Sequence, residues 1–225
     1  MTRPGGGRVA GLLVLAGLMA PLAAPHRGLG AECQAVADLA RAALDAFPGD
    51  WKPRDDRARE VYRVLEEGGL RFIRATAEGA GSQMGKEFAW DLGTHPVLAW
   101  KWRPRLFPTG ADERESARND SALGVYAVFP SMPMTVKTVK YVWSQMAPAG
   151  TTVSVSAGLT RMLVLRTGAP VDPSWVEEAV DVRADYQRLF AEAPPRPRGI
   201  AVLTDADQTR SRAVGDYADF RICRP

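Results

Sequence analysis

A chain of 225 residues with 46% hydrophobic content can bury one sizeable core and little more. Its formal charge of +3 comes from 29 basic and 26 acidic residues, and Arg3, Arg8 and Arg27 all precede the first acid, Glu32. Without those three arginines the two signs match at 26 each, so the remaining chain has no global pull toward nucleic acid, and a nucleic-acid-binding role is excluded.

Residues 1–31 read as a secretory signal peptide. "MTRPGGGR" gives a basic start, and an apolar run follows from Val9 to Ala24. The competing reading is an uncleaved membrane anchor. The run falls short of the ~20 apolar residues a span needs, and Gly17 and Pro21 interrupt it. Cleavage is expected near Gly30 or Ala31, which leaves no transmembrane span and places the protein in the periplasm or outside the cell.

The chain has two cysteines, Cys33 and Cys223. An exported protein meets oxidising conditions, so a disulfide between them is expected. It would close nearly the whole domain into one loop, worth up to roughly 4–5 kcal/mol in the chain-entropy model. A lipid-modified Cys33 is the rival, but Glu32 stands where a lipoprotein signal has a small residue.

Residues 32–60 are expected to form an N-terminal helix and linker. Val36, Leu39, Ala43, Leu44 and Phe47 recur at helical spacing, and "PGDWKPRDD" ends the pattern. Residues 61–225 then read as one β-sandwich domain. "VYRVLEEGGLRFIRATA" is two alternating runs around Glu-Glu-Gly-Gly, a hairpin pattern. "HPVLAWKWRP", "SALGVYAVFP", "VKYVWSQM" and "RMLVLRTG" are further strands, and "TGADERESARND" is a polar loop. A second helix is expected to start at Asp172-Pro173-Ser174, with Glu177 and Glu178 in its first turn, and to end at Pro194-Pro195. "RGIAVLTD" and "DYADFRIC" are the last strands. Seven to nine strands, two peripheral helices and no βαβ alternation predict a mainly antiparallel sandwich of jelly-roll type.

"IAVLTDADQT" resembles the active-site strand of haloacid-dehalogenase-like phosphatases, where an Asp attacks phosphorus and the Asp two residues on moves the proton. Only 16 residues follow Thr209, too few for the α/β domain that this chemistry requires. The preferred reading of Asp205 and Asp207 is a hairpin turn whose carboxylates bond nearby backbone N–H groups. A structural Ca²⁺ site is the alternative, although Arg210 and Asp216 stand where an EF-hand loop has Gly and Glu.

Other chemistries lack a signature. His95 is the one histidine after residue 31 and precedes Pro96, and no Ser lies in a Gly-x-Ser-x-Gly elbow. No spacing singles out a glycosidase carboxylate pair. The aromatic residues stand out more. Trp100 and Trp102 share a strand face, as do Tyr141 and Trp143, and Tyr126 stands alone on its face. Such pairs suit a sandwich core, or a flat surface on which sugar rings stack. Arg118, Asn119 and Asp120, just before the Tyr126 strand, would orient a ligand there or form a solvated turn.

"LAWKWRP", "RNDSA", "VYAVF", "YVWS", "VDVRADYQRLFAEAPP" and "GIAVLTDADQT…GDYADFRI" occur in an order that resembles the bacterial family catalogued as domain of unknown function 3047, from about Val61 to Ile222. The family pattern has two acidic residues where this chain has Asn119 and Asp120, and an Arg where it has Gly124. If those polar groups form a site, the resemblance implies that it is weakened here, and it implies no activity. The strands are also similar to the galactose-binding type of jelly roll, by fold-level analogy.

The expectation is therefore an exported, monomeric, non-catalytic sandwich that binds carbohydrate or another cell-envelope component through Trp100, Trp102, Asp120, Tyr126 and Trp143, with no catalytic residue and no cofactor. The alternatives are an envelope glycan hydrolase using paired carboxylates, and a periplasmic scaffold with a large exposed apolar patch.

Overall fold

The computed structural model describes residues 1–2, 32–131, 134–170, 172 and 174–225. Apart from its first two residues, the expected signal segment lies outside the described residues. Among them, no helix is long and apolar enough to cross a membrane.

In chain order the elements are β1 (Cys33–Ala35), β2 (Lys52–Pro53), α1 (Ala58–Val61), β3 (Tyr62–Glu67), β4 (Leu70–Glu78), β5 (Gly81–Glu87), β6 (Val97–Leu106), β7 (Leu123–Pro130), β8 (Val136–Ser144), β9 (Thr152–Val155), β10 (Thr160–Thr167), β11 (Val176–Asp181), α2 (Val182–Phe190), β12 (Gly199–Asp205) and β13 (Arg212–Cys223). One sheet runs β11-β6-β13-β4-β3, with β1 added against β13. The other runs β2-β5-β12-β7-β8-β10-β9. The pairs are antiparallel except β8 with β10, so the fold is the expected mainly antiparallel sandwich.

The core lies between the sheets. Alternation on β6 sends Leu98, Trp100 and Trp102 inward, and all three are buried. Trp100 packs on Tyr141 with ring centroids 5.7 Å apart, and Trp102 on Trp143 at 5.8 Å, so indoles of one sheet meet aromatics of the other. Two tyrosines also bridge the layers by hydrogen bonds. The Tyr62 hydroxyl donates to Ser82 O at 2.7 Å and accepts from Thr204 N at 3.1 Å. The Tyr217 hydroxyl donates to Leu203 O at 2.9 Å and accepts from Gly124 N at 3.1 Å. These bonds fix the backbone of β12 and β7 where the outer face of the seven-stranded sheet carries its polar groups.

Cys33 and Cys223 form the expected disulfide, directly opposite one another in the β1–β13 ladder. The hairpin at Gly68-Gly69 also forms, with φ of +59° and +80°, the sign a two-residue type I′ turn needs and glycine supplies most readily.

Three expectations fail. Residues 32–47 form no helix. Cys33–Ala35 pairs as a strand, Val36 N continues to Phe220 O, and Arg71 Nη1 donates to the carbonyls of Ala40 and Ala42, which a helix would need. Tertiary pairing overrides the local 3.6-residue pattern. The second helix begins ten residues later than expected, at Val182. Val176–Asp181 instead pairs antiparallel with β6, and its residues alternate between half-buried and exposed. Asp181 is the true cap, its carboxylate accepting from Ala184 N at 2.8 Å.

The expected hairpin around Asp205 and Asp207 is not one either. β12 belongs to the seven-stranded sheet and β13 to the six-stranded one, so this segment is a corner between layers. β12 runs antiparallel to both of its neighbours, which disposes of the phosphatase geometry.

Candidate functional site

The outer face of the seven-stranded sheet is left open as a cleft of about 430 Å³. Strand alternation builds it. Met84, Val125, Tyr141 and Val202 point to the core, so their neighbours Gln83, Tyr126, Lys140 and Leu203 point outward and line the cleft. Arg54, Asn119 and Gln208 add polar groups from the flanking loops, and Asp205 sits at the end of β12.

Lys140 lies on the cleft floor and is only 3% exposed. Its ammonium donates to Ser121 Oγ at 3.3 Å, and Ser121 Oγ donates in turn to Glu113 Oε1 at 3.2 Å. The ammonium lies 5.7 Å from the Tyr126 ring centroid. Gly124 makes room for this arrangement, because a Cβ there would stand 3.0 Å from Lys140 Cε and 3.3 Å from Leu203 O. Burial pushes the amine below its ordinary value, against the opposing pull of Asp205, Glu113 and Asp120.

Asp205 is held by its own backbone, which donates to Ser121 O at 2.9 Å. Its Oδ1 is shut off from solvent, has no hydrogen-bond partner among the described residues and packs where a Cβ at Gly81 would collide with it. Burial pushes the carboxyl up to about 7. Lys140 opposes the rise, while Asp207 and Asp120 add to it.

Asp120, Asp205 and Asp207 each bring one carboxylate oxygen within 4.8 Å of the others. These are hard donors of the kind Ca²⁺ takes, but that ion wants six to eight oxygens. Asp120 is already engaged, accepting from Gln208 N at 3.2 Å, Thr209 N at 2.7 Å and Thr209 Oγ1 at 2.5 Å. The Lys140 ammonium acts on the same group of acids. The cluster does not fit a calcium site, and the alternative raised for Asp205 and Asp207 goes no further. The backbone-capping role expected of those two belongs to Asp120.

The expected sugar-stacking aromatics divide. Trp100 and Trp102 are wholly inside the core, and Trp143 is 4% exposed with its Nε1 donating to Gly168 O at 2.9 Å, so none offers a stacking face. Inter-sheet packing claims them. Tyr126 does line the cleft, at 7% exposure. Asp120 lies buried behind the cleft, and Arg118 turns away to pair with Glu115. His95 sits in the turn before β6 beside Thr94. Lys140, Gln83 and Arg54 were not singled out from the sequence. A lysine in the middle of "VKTVKYVWS" was the available signal for the first, whereas "GSQMGKE" is too rich in glycine to read as a strand.

Three solved structures illustrate the likeness to other proteins. The carbohydrate recognition domain of Emp47p aligns at 11% identity over 83% of this chain and 93% of that one, with a TM-score of 0.46. The xyloglucanase domain of NopAA, a type three effector from Sinorhizobium fredii solved in complex with cellobiose, aligns at 9% identity over 82% and 99%, with a TM-score of 0.41. TmCBM61 in complex with beta-1,4-galactotriose aligns at 9% identity over 79% and 90%, with a TM-score of 0.39. At such scores these likenesses assign no ligand. The chain matches no curated protein. Over residues 50–221, which include strands of both sheets and every residue lining the cleft, the chain belongs to the family described as "Protein of unknown function (DUF3047)".

Proposed function

We propose that this protein is an exported, non-catalytic binding domain that holds a carbohydrate or another cell-envelope component on the outer face of its seven-stranded sheet. The cleft carries the proposal. Its amide and guanidinium groups, from Gln83, Asn119, Gln208 and Arg54, surround the apolar surface of Tyr126 and Leu203. That mixture suits a ligand with hydroxyls at its rim and C–H faces between them. The disulfide supports export, since such bonds persist in oxidising compartments. A glycan array, with a pull-down against cell-wall polymers, tests the proposal. Gln83→Ala and Asn119→Ala should each weaken capture by several-fold, about 1 kcal/mol for a lost hydrogen bond. Silence from the intact protein on both would overturn it.

One observation favours a second reading, a glycan hydrolase: Asp205, in the cleft, stays protonated up to about 7, as a general acid must. Against it, the neighbouring Asp120 is already committed to Gln208 N, Thr209 N and Thr209 Oγ1. Release of reducing ends from a captured glycan, abolished by Asp205→Asn, would establish hydrolysis.

A further inference from the structure

The cleft continues along the sheet. A second hollow of about 210 Å³ lies on the same face, and Val136 lines both. On three strands, successive outward positions serve the two hollows in turn: Gln83 then Gly85 on β5, Leu203 then Ala201 on β12, and Tyr126 then Val128 on β7. The hollows therefore join into a groove parallel to the strands. From Asp205 to Gly199 it spans the seven residues of β12, six steps of ~3.3 Å or about 20 Å.

The floor of the groove is low without internal need. A Cβ at Gly85 would meet nothing nearer than Ile200 O at 3.6 Å, an ordinary contact. Neither packing nor backbone conformation requires glycine there, and what its absence of side chain preserves is space above the sheet.

The lining is also unbalanced in charge. In the first hollow Arg54 and Lys140 face one carboxylate, Asp205. In the second, Lys52 and Arg198 line the hollow with Glu87, while Lys86 has the inward parity of Met84 on β5. Lys52 pairs with Glu87 and Lys86 with Asp50, each at 2.7 Å. Arg54 and Arg198 are both exposed, and neither makes an ion pair within the described residues. Arg54 N donates to Gln83 O, and Phe88 N donates to Arg198 O. The two arginines thus lie beside Gln83 and Phe88, five residues apart on β5 and its continuation, roughly 17 Å.

Building on the carbohydrate reading above, we propose that the ligand is a linear acidic glycan lying along the strands, with one carboxylate-bearing sugar at Arg54 and another at Arg198. A chain of this kind meets a cation near each end of the groove and presents its ring faces to the apolar floor between them. Guanidinium suits the task because its planar fork matches a carboxylate.

Calorimetric titration of the full chain with four probes tests this: a linear oligouronate long enough to span the groove, its carboxyl-reduced neutral counterpart, the disaccharide of the same uronate, and inorganic polyphosphate. The oligouronate should bind about tenfold more tightly than the neutral chain, weakening as salt rises. Arg54→Gln and Arg198→Gln should each lower its affinity about threefold, the scale of an exposed charge pair, and each should cost the neutral chain less than that. Gly85→Leu should weaken the long chain and not the disaccharide. Equal affinity for charged and neutral chains would overturn the acidic-ligand proposal while leaving carbohydrate binding intact. Polyphosphate binding as tightly as the oligouronate would overturn it in favour of charge alone. No binding of either glycan would remove both readings.

Discussion

At Asp205 the fold holds a carboxyl group where its ionised form is costly. Burial raises its pKa from 3.8 to about 7, and the nearby acids outlast the help of Lys140. Between about pH 4 and pH 7 the folded chain therefore binds a proton there that the unfolded chain has released. Stability attributable to this residue falls as pH rises through that window and is level above it. Asp205→Asn removes the titration and keeps the shape. Urea unfolding from pH 4 to pH 8 should show the variant gaining on the parent as pH rises; parallel curves would mean that the carboxyl titrates normally. The residue scale is also where the sequence was least readable. Asp205 was visible as an acid after an apolar run, but its burial depends on Gly81 from β5 and Ser121 from the loop before β7. Lys140 is unremarkable as a letter and acquires meaning only because Gly124, diagonal to it on the neighbouring strand, has no side chain. Trp100 and Trp102 were correctly placed on one face, yet the pattern of two cannot tell which face of a sheet is covered.

Elements with local causes were legible, and those with distant causes were not. The β3–β4 hairpin follows from Gly68-Gly69 between alternating runs, so it could be read directly. β11 could not, because its two valines and paired glutamates suit a helix start as well as an edge strand, and β6 alone decides the matter. The same holds for β1, where the disulfide and the β13 ladder hold extended a segment with helical spacing. That bond joins residues 190 apart, so in the chain-entropy model its loss should matter greatly. The double variant Cys33→Ser, Cys223→Ser is expected to lose roughly 4 kcal/mol of unfolding free energy in urea, with a steeper denaturant dependence from a more expanded unfolded chain. A loss below about 1 kcal/mol would show that the β1–β13 ladder, rather than the covalent link, secures the N-terminal segment.

The whole molecule has two outer faces that the sequence pattern treats alike and the structure treats differently. On the six-stranded sheet, register sets Arg74, Asp216 and Arg103 in one row. Burial alone would raise the Asp216 pKa, but bonds from Arg74, Arg103 and Arg105 outweigh it and hold the carboxylate below its ordinary value. The distances are 2.7 Å from Arg74 Nε, 2.7 Å from Arg103 Nε and 3.0 Å from Arg105 Nε. Arg103 also lies 4.4 Å from the Trp175 ring centroid and 5.3 Å from that of Phe72, so aromatic rings cover the row. This face is closed by its own side chains, whereas the opposite face keeps glycines, and two arginines without an ion pair among the described residues, above an open floor. On the function proposed above, binding belongs to one sheet and stability to the other, and the two can be separated by experiment. Asp216→Ala strands three guanidinium groups around an inaccessible site; because Arg74 and Arg105 remain 30% exposed, the loss should fall near the low end for a broken buried pair, roughly 3 kcal/mol. Glycan affinity, measured below the variant's unfolding transition, should stay within about twofold of the parent, a difference of ~0.4 kcal/mol. Arg54→Gln should do the reverse, weakening capture with little change in the unfolding midpoint. If Asp216→Ala abolished binding while the chain stayed folded, the ligand would belong on the six-stranded face, where the arginine row would then be its receptor.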